Sequence, residues 1–554
     1  TAVIPITSTT VLRAMAVKTD ARSTNVDTQT YLFHDDVLTQ SGAGLPGPSN
    51  STSIWDYVMD PNVVNDPRYP NLADDLKSIP TLSVVLLERD MWGPNGIYAN
   101  PQQSGFAWER GCSVEYFLPD GTPQFQEDGG LRIQGAGSRF RDLGKKSLRI
   151  IFRQMYGAGK LDYPLFGQKG ASRIDNIVLR GAYFDSWTVH TSGIGTEYIG
   201  RRNSMLLRDE YARLMHEDMG AEPVVQGGWA HVYFNGMYWG VYNLHERPDE
   251  HFAEDRFGGN DEDYDVLKQR PRGSSNGSPP EVVQGDRIAW DALLATLNGN
   301  ISSTSVYRSV RRQMDVDSFA DYLILNFWSG NLDWPHNNWY AIRHRPTNGL
   351  FIFIAWDTES NLFRTNQLGQ LSTSVNNSPG IIWNRLRQND DFVILFADRV
   401  HRHCFNGGAL TAAVNIARFQ EITDYLRPAM NGESARWGDT REEPPLNTID
   451  HFDTVVADKI TNYFPARTDI FLGQLRSNGY YPGTDAPELS QHGGQVAAGT
   501  VITLTNPNPG GTIYFTTDGN DPRRQGGALN PIAVAGSPVQ INSPLTLKAR
   551  VRAT

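Results

Sequence analysis

The sequence contains very little cysteine, with Cys112 and Cys404 as the two in 554 residues. So few cysteines exclude a disulfide-stapled scaffold, and neither one has the spacing of a metal ligand. One disulfide between them and two buried thiols both stay open, and buried thiols are the commoner outcome for such a pair. The cysteine content therefore does not decide the compartment.

Long apolar runs and an excess of positive charge are also missing. No run is long enough to span a bilayer and no signal-peptide pattern opens the chain, so we predict no membrane span in it. The net charge of −11 argues against general nucleic-acid binding, because that requires a basic surface. The chain starts at Thr1 and stops at Thr554 inside strand-like patterns, so we expect it to be a processed product or a fragment.

The residues that are present describe a folded protein with many turns. Hydrophobic residues make up 39% and charged residues 20%, with 52 glycines and 32 prolines. A chain of this length exceeds one ordinary core, so we expect two to four units.

The order of the secondary-structure patterns predicts an α+β protein. Strand patterns come first, in "TLSVVLL", "CSVEYFL", "GGLRIQG", "KSLRIIF" and a hairpin that turns at Asn235-Gly236. Helical patterns follow over 203–220, 315–330, 390–405 and 411–427. Strands followed by helices indicate an α+β domain.

The two ends resemble each other. "TTVLRAMAV" near the start is similar to "PLTLKARV" near the end, which follows the alternating stretch "GTIYFTTDGNDP". We therefore predict a partial all-β sandwich module at each end. The predicted division is module 1–35, connecting segment 36–80, central domain 81–475 and module 486–554.

One stretch of the central domain, "NLDWPHNNWYAIRHRPTNGLFIFIAWDTE" (331–359), concentrates acids and amides around a predicted hairpin. A hairpin brings its outer ends together, so Asp333, Asn338 and Asp357 should approach one another. Mg²⁺ prefers such oxygen ligands, and protein kinases carry a catalytic Asp, a metal-binding Asn, a hairpin and a metal-binding Asp in this order. The alternative is that these residues cap turns and end a strand, as Asp and Asn commonly do. On these residues alone both interpretations stay open.

Four longer stretches resemble the CotH kinase-like family, named for a spore-coat protein, and its secreted multi-domain branch in particular. They are "GGLRIQGAGSRFRDLGKKSLRIIFRQMYG", "YFNGMYWGVYNLHERPDEHF", "LNFWSGNLDWPHNNWYAIRH" and "FIAWDTESNLF", in the family's order, with "SARWGD" further on. "GTIYFTTDGNDP" resembles the β-sandwich module found at the C-terminus of chitobiases and β-hexosaminidases.

The family resemblance implies an atypical protein-kinase fold and transfer of phosphate from ATP to protein serines with Mg²⁺. It implies that Asp333 is the catalytic acid, with Asn337 and Asn338 as its amides. It also implies that Asp357, Asn338 and Glu359 hold the metal. Lys146, Arg149 and Glu246 are the residues that it implies for nucleotide binding.

Two departures from the family pattern affect activity. "WDTESNLF" has Glu359 where the family often has a second aspartate, and it lacks the Phe-Gly pair that follows. Ile151 replaces the last lysine of the family's basic strand. A kinase needs cations on the ATP phosphates, so Lys146, Arg149 or a residue from elsewhere must supply that charge.

Three functional hypotheses follow. The first is a secreted Mg²⁺- and ATP-dependent protein (Ser/Thr) kinase that acts on a protein substrate. The second is a non-catalytic kinase-like module of a large bacterial secreted or cell-surface protein, with extracellular structural partners. A glycan-binding or glycan-processing component is the third, and it rests on the terminal modules alone.

Overall fold

A computed structural model of the protein describes residues 3–47, 55–189, 200–270, 273–275, 277–369 and 375–553. Strands predominate up to residue 284 and helices from 288 to 477, which confirms the predicted α+β class. Within these described residues, no helix is both long enough and apolar enough to cross a membrane.

The N-terminal segment is a two-stranded sheet followed by three single-turn helices. Its elements are β1 (Thr10–Ala14), β2 (Asp27–Tyr31), α1 (His34–Val37), α2 (Pro61–Val64) and α3 (Leu72–Asp75). Strand β2 is held by a buried carboxylate, since the Thr30 N–H donates to Glu115 at 3.0 Å and its hydroxyl lies 2.8 Å from that of Ser83. The predicted division of this region into a module and a connecting segment stays a prediction.

The first half of the central region forms a closed barrel. Its elements, with two helices and a small side hairpin, are β3 (Thr81–Leu86), α4 (Glu88–Met91), β4 (Arg110–Phe117), β5 (Pro123–Ile133), β6 (Leu148–Ile151), β7 (Leu161–Asp162), β8 (Arg173–Ile174), β9 (Asn176–Arg180), α5 (Arg208–Asp218), β10 (Gly227–Phe234) and β11 (Met237–His245). The strand order around the barrel is β10-β11-β9-β6-β5-β4-β3, and a parallel pairing of β3 with β10 closes it.

Side-chain alternation sorts residues to the inside and outside of this barrel. Leu148 and Ile150 of β6 and Ile177 and Leu179 of β9 fill the interior, while Val178 points outward to another cluster. The predicted turn at Asn235-Gly236 is confirmed, and both residues have positive φ angles (52° and 81°), which asparagine and glycine tolerate. Outward-facing residues of β9 therefore point at the second half of the domain.

The second half combines a four-stranded sheet with a helical bundle. Its elements are α6 (Glu250–Phe257), β12 (Tyr264–Lys268), β13 (Glu281–Gln284), α7 (Ile288–Leu297), α8 (Thr304–Val310), α9 (Val316–Ser329), β14 (Trp339–His344), β15 (Ile352–Ala355), α10 (Pro379–Leu386), α11 (Asp390–Cys404), α12 (Ala412–Trp437), α13 (Asp453–Asp458) and α14 (Phe464–Ser477). The sheet order is β13-β12-β14-β15. The pairing of β14 with β15 is the predicted hairpin of the 331–359 stretch.

The C-terminal segment is a small all-β unit around its own core. Its strands are β16 (Glu488–Leu489), β17 (Thr500–Ile502), β18 (Leu504–Thr505), β19 (Thr512–Thr516), β20 (Val534–Ala535), β21 (Val539–Ile541) and β22 (Lys548–Arg552). Two arginines dock this unit on α11, since Arg523 pairs with Asp391 at 2.7 Å and Arg550 with Asp398. The unit therefore contacts the helical half through ion pairs.

Cys112 and Cys404 are both buried free thiols. Cys112 belongs to the barrel core and Cys404 to the core of the helical half. Burial raises the pKa of each thiol well above its ordinary value, so neither is a reactive thiolate at neutral pH.

His231 of β10 is expected to make the stability of the fold depend on pH. Its Nε2 lies 3.0 Å from the carbonyl oxygen of Asp75 and its Nδ1 lies 2.9 Å from the hydroxyl of Tyr238. A carbonyl only accepts, so the neutral ring donates from Nε2 and accepts the hydroxyl proton at Nδ1. Burial lowers the pKa of His231 to about 3, from an ordinary value of 6.5.

Because the folded pKa is depressed, the contribution of His231 to stability is complete above pH 6.5 and is lost as the pH falls toward 3. We expect the free energy of unfolding to lose about 1.4 kcal/mol per pH unit below 6.5 through this residue, or about 2 kcal/mol at pH 5.0. Urea unfolding at pH 7.5 and 5.0 measures it, with His231→Gln as the non-titrating comparison. The variant should lose about 2 kcal/mol less than wild type over this interval, and an identical pH dependence in both proteins would contradict the assignment.

Candidate active site

Helix α9 directly precedes the loop that carries Asp333. It begins at the Asp315 cap, whose side chain accepts the N–H groups of Asp317 and Ser318, and it ends at Gly330, which has φ +68°. The loop that follows is held in place because Asn331 donates from Nδ2 to the amide oxygen of Asn326 at 2.9 Å and accepts the Asp333 N–H at 3.2 Å. Asp333 therefore has a defined position at the end of a buried helix.

The structure brings Asp333, Asn338 and Asp357 together. Asn337 and Asn338 each donate from Nδ2 to one oxygen of the Asp333 carboxylate, at 2.9 and 3.0 Å. The same Nδ2 of Asn338 donates to the backbone carbonyl of Asp357 at 3.0 Å. His336 also approaches, with its Nε2 3.1 Å from Asp333. The outer ends of the β14–β15 hairpin thus meet.

Asp357 belongs to a second cluster, in which three carboxylates surround Arg180 of β9. Arg180 pairs with Asp357, contacts Glu359 at 2.7 Å and lies 3.8 Å from Asp209 at the start of α5. The Thr358 N–H and hydroxyl donate to Asp209 at 2.7 and 2.9 Å. Elements of the barrel, α5 and the hairpin therefore converge on one guanidinium.

The charges in this cluster do not balance, because Arg180 faces three carboxylates, and Arg213, which contacts Asp209 at 3.4 Å, also pairs with Glu210. Burial raises the pKa of Glu359 to about 7 although Arg180 opposes the rise, and burial also raises the pKa of Asp357. Burial acts in the same direction on Asp209, but Arg180 and Arg213 outweigh it and hold its pKa below the ordinary value. Asp357 keeps 38% of its side-chain surface exposed, whereas Glu359 keeps 5%. The cluster therefore has excess negative charge at its accessible edge.

Unusual backbone conformations accumulate in the same place. Ala182, Leu206, Asn338, Asp357 and Leu362 all have φ between 53° and 61°. Asparagine and aspartate tolerate this region, but alanine and leucine cost about 1–2 kcal/mol each there. Such strain is characteristic of functional sites, and here it surrounds the two clusters.

Lys146 and Glu246, predicted to bind nucleotide, contact other parts of the protein. The Lys146 ammonium donates to the carbonyl oxygens of Phe140 and Leu143 at 2.9 and 2.8 Å, and burial lowers its pKa to about 7. Glu246 pairs with Arg256 and accepts the N–H of Ala171 at 2.8 Å. The structure therefore places neither side chain in the carboxylate cluster, and their role at a nucleotide stays a prediction.

Arg149 lies on the outer face of the barrel. It is paired in register with Val178 of β9, two residues before Arg180, so both arginines belong to the face that packs toward the hairpin. Its role at a phosphate also stays a prediction.

Sequence reasoning missed Arg180 and Asp209. Arg180 ends the strand "NIVLR" and Asp209 lies in the first turn of a helix, positions that many basic and acidic residues occupy. A charged residue at a strand end, just before Gly181, was the available signal. It does not say which carboxylates the side chain will reach.

The oxygen atoms at this site suit a hard cation. Within the described parts of the chain, no group of three or more His, Cys, Asp and Glu side chains is arranged to hold a metal ion. Arg180 contacts both Asp357 and Glu359 there. Asn338 uses its amide nitrogen for both of these hydrogen bonds, so its amide oxygen takes no part in them and can serve as a metal ligand. One carboxylate and one amide oxygen fit Mg²⁺ that shares its coordination with phosphates and water, rather than an all-protein cage.

The order of acid, amide, hairpin and acid at this site is the one found in protein kinases. A family model described as "CotH kinase protein" matches residues 131–470. This range is more than half of the chain and includes every residue of both clusters. The chain belongs to the CotH kinase protein family. A second model, for the chitobiase/beta-hexosaminidase C-terminal domain, matches residues 491–554 and confirms the module predicted at that end. A search of curated proteins finds no match.

Proposed function

We propose that this protein is an atypical Mg²⁺- and ATP-dependent protein kinase, with residues 81–475 as its kinase-like catalytic domain. The observation that carries the proposal is the hydrogen-bonded series Asp333–Asn338–Asp357. Protein kinases use a catalytic Asp, a metal-binding Asn and a metal-binding Asp in the same order around a short hairpin. Membership of the CotH kinase protein family supports the same assignment.

Asp333 is the residue that we assign to the acceptor hydroxyl. Its carboxylate, with 21% of the side chain exposed, accepts from two neutral amides and lies beside His336. It orients the serine or threonine hydroxyl and takes its proton as the oxygen bonds to the γ-phosphorus of ATP and ADP leaves. The neighbouring amides hold the carboxylate in one orientation for this role.

Asp357 and Asn338 are the residues that we assign to Mg²⁺, with Glu359 beside them. The metal, when bound with ATP, neutralises charge on the phosphates. The excess negative charge of the cluster supports this assignment, because a cation there relieves the repulsion among Asp209, Asp357 and Glu359. Lys146, Arg149 and Glu246 remain the family-based candidates for contacts to the nucleotide.

We further propose an extracellular or cell-surface location and a protein substrate. The chitobiase-type module at residues 491–554 supports this, since such modules accompany secreted multi-domain proteins. The predicted partial module at residues 1–35 would be a second such element.

A non-catalytic, kinase-like interaction module is the alternative function. The observation that favours it is Arg180, which already neutralises part of the charge that a metal would meet. The Lys146 ammonium, which is bound to loop carbonyls, also favours this alternative. In that case the site is a structural ion-pair network.

The experiment that separates the two functions uses the wild-type chain, Mg²⁺ and ATP labelled at the γ-phosphate. We expect incorporation of label into the protein or into a serine-rich acceptor such as casein, and its loss when EDTA removes the metal. Isothermal titration with Mg²⁺-ATP measures binding independently of transfer. Binding without transfer to any acceptor, or no binding, would favour the interaction module.

A further inference from the structure

We propose that Arg180 is the cation that contacts the nucleotide phosphates and that Asp209 positions it. This inference rests on the proposed function, since it names the phosphate ligand of that site. Arg180 would also supply the positive charge that the chain lacks at Ile151, which occupies the place of a lysine in the family's basic strand.

The strand order supports a role for Arg180 in place of the family's lysine at position 151. Strand β9 is the direct neighbour of β6, and Ile151 pairs in register with Asn176 at the start of β9. Arg180 is at the other end of β9, where Gly181 donates its N–H to the Ser147 hydroxyl at 2.9 Å. The adjacent strand therefore has a cation that position 151 of β6 lacks, and this cation is at the end of β9 that reaches Asp357.

The partner on α5 supports the same role. In protein kinases, a strand lysine pairs with an acid on a nearby helix, and this pair and the metal-binding Asp must both be in place for transfer. Arg180 repeats the arrangement, since it lies 3.8 Å from Asp209 in the first turn of α5 and pairs with Asp357. Asp209 is itself held by the backbone N–H of Thr358, the residue after Asp357. The strand cation, the helix acid and the proposed metal ligand form one connected unit.

The guanidinium of Arg180 is chemically suited to bind both a carboxylate and a phosphate. Arginine has five N–H donors in a planar fork and pairs well with carboxylates and phosphates alike. A metal on Asp357 would compete with Arg180 for that carboxylate, and the guanidinium would then have donors available for a phosphate oxygen. Its Nε already lacks a hydrogen-bond partner within the described residues. The side chain stays partly accessible, at 10%.

The first test compares Arg180→Gln with Arg343→Gln. Arg343 is a matched control, since it is a half-buried arginine on β14 with 12% of its side chain exposed that pairs with Asp265 at 3.0 Å away from the cluster. Calorimetry measures the Kd for Mg²⁺-ATP and for adenosine, which has no phosphate. We expect Arg180→Gln to raise the Kd for ATP about 10- to 100-fold and leave adenosine binding unchanged, because a hydrogen bond to a charged group is lost. Arg180→Lys should recover part of the ATP affinity, since an ammonium still attracts phosphate.

The second test uses two neighbouring acids of α5 and remains informative if Arg180→Gln does not fold. Asp209→Asn removes one of the acids at Arg180, at 3.8 Å, which also contacts Arg213 at 3.4 Å. Glu210→Gln changes an equally buried acid that pairs with Arg213. Because both acids contact Arg213, a difference between the two variants reports on Arg180. We expect Asp209→Asn to raise the Kd for ATP about 3- to 10-fold without affecting adenosine. Glu210→Gln should bind both ligands as wild type does.

The outcomes distinguish this inference from the proposed function. If wild type transfers phosphate and Arg180→Gln binds ATP as tightly as Arg343→Gln, the role of Arg180 is wrong and the kinase assignment stands. Equal loss of ATP and adenosine affinity would show a purely structural role and would also overturn the inference. If the wild-type protein binds no ATP, the proposed function fails and the inference fails with it.

Discussion

Asp357→Asn is expected to lower the kcat/KM for phosphate transfer by about a thousandfold or more. The carboxylate is the proposed metal ligand, and loss of a metal or of comparable charge stabilisation on a transferring phosphoryl group costs on the order of 4 kcal/mol. Asparagine keeps the shape of the side chain and tolerates the φ of +54° at this position, whereas alanine would add backbone strain. The substitution therefore removes the charge and preserves the fold.

The control for this prediction is Asp265→Asn. Asp265 is also an aspartate paired with an arginine, Arg343, but it lies on β12 outside the cluster. Both variants lose an ion pair, so loss of activity in Asp357→Asn alone isolates the function of the site. In a Mg²⁺ titration, the residual activity of Asp357→Asn should need a higher Mg²⁺ concentration to reach half of its maximum than the activity of wild type does. Equal activity in the two variants would refute the assignment of Asp357.

Lys145→Met is expected to produce the largest loss of stability, about 3–5 kcal/mol in the free energy of unfolding. Lys145 contacts Glu433 of α12 at 2.6 Å, and neither side chain has accessible surface. The ammonium also donates to the carbonyl of Val241, whose N–H donates to Glu433 at 2.8 Å. This pair joins the barrel to the longest helix, and removing one member leaves the other charge buried without its partner.

Urea unfolding of the single variant, a double variant and a surface control tests this prediction. Lys145→Met/Glu433→Gln should recover much of the loss, because a neutral glutamine oxygen still accepts the Val241 N–H and no unpaired charge remains. The control is Lys77→Met, whose partner Asp74 is 75% exposed, and it should cost less than about 1 kcal/mol. A cost for Lys145→Met as small as that of Lys77→Met would show that the buried pair is unimportant.

Local chemistry was sufficient to predict several elements of the fold. The Asn235-Gly236 turn and the helix between Asp315 and Gly330 both depend on residues within a few positions of each other, and both are confirmed. The start of α5 was not predictable in this way. Its pattern predicted a helix from residue 203, but the helix begins at Arg208 because Asp185, distant in sequence, accepts the N–H groups of Met205, Leu207 and Arg208.

The sequence by itself determined that Asp333, Asn338 and Asp357 would meet, because a hairpin joins the ends of two adjacent strands whatever surrounds it. Only the tertiary structure decided which cation would join them. Lys146 is two residues after Gly144 in a basic stretch that looked suitable, yet its ammonium is bound by loop carbonyls. Arg180 reaches Asp357 and Asp209 reaches Thr358 because β9 and α5 pack against the end of the hairpin. Contacts between residues 149 and 177 positions apart depend on that packing, and no local pattern specifies them.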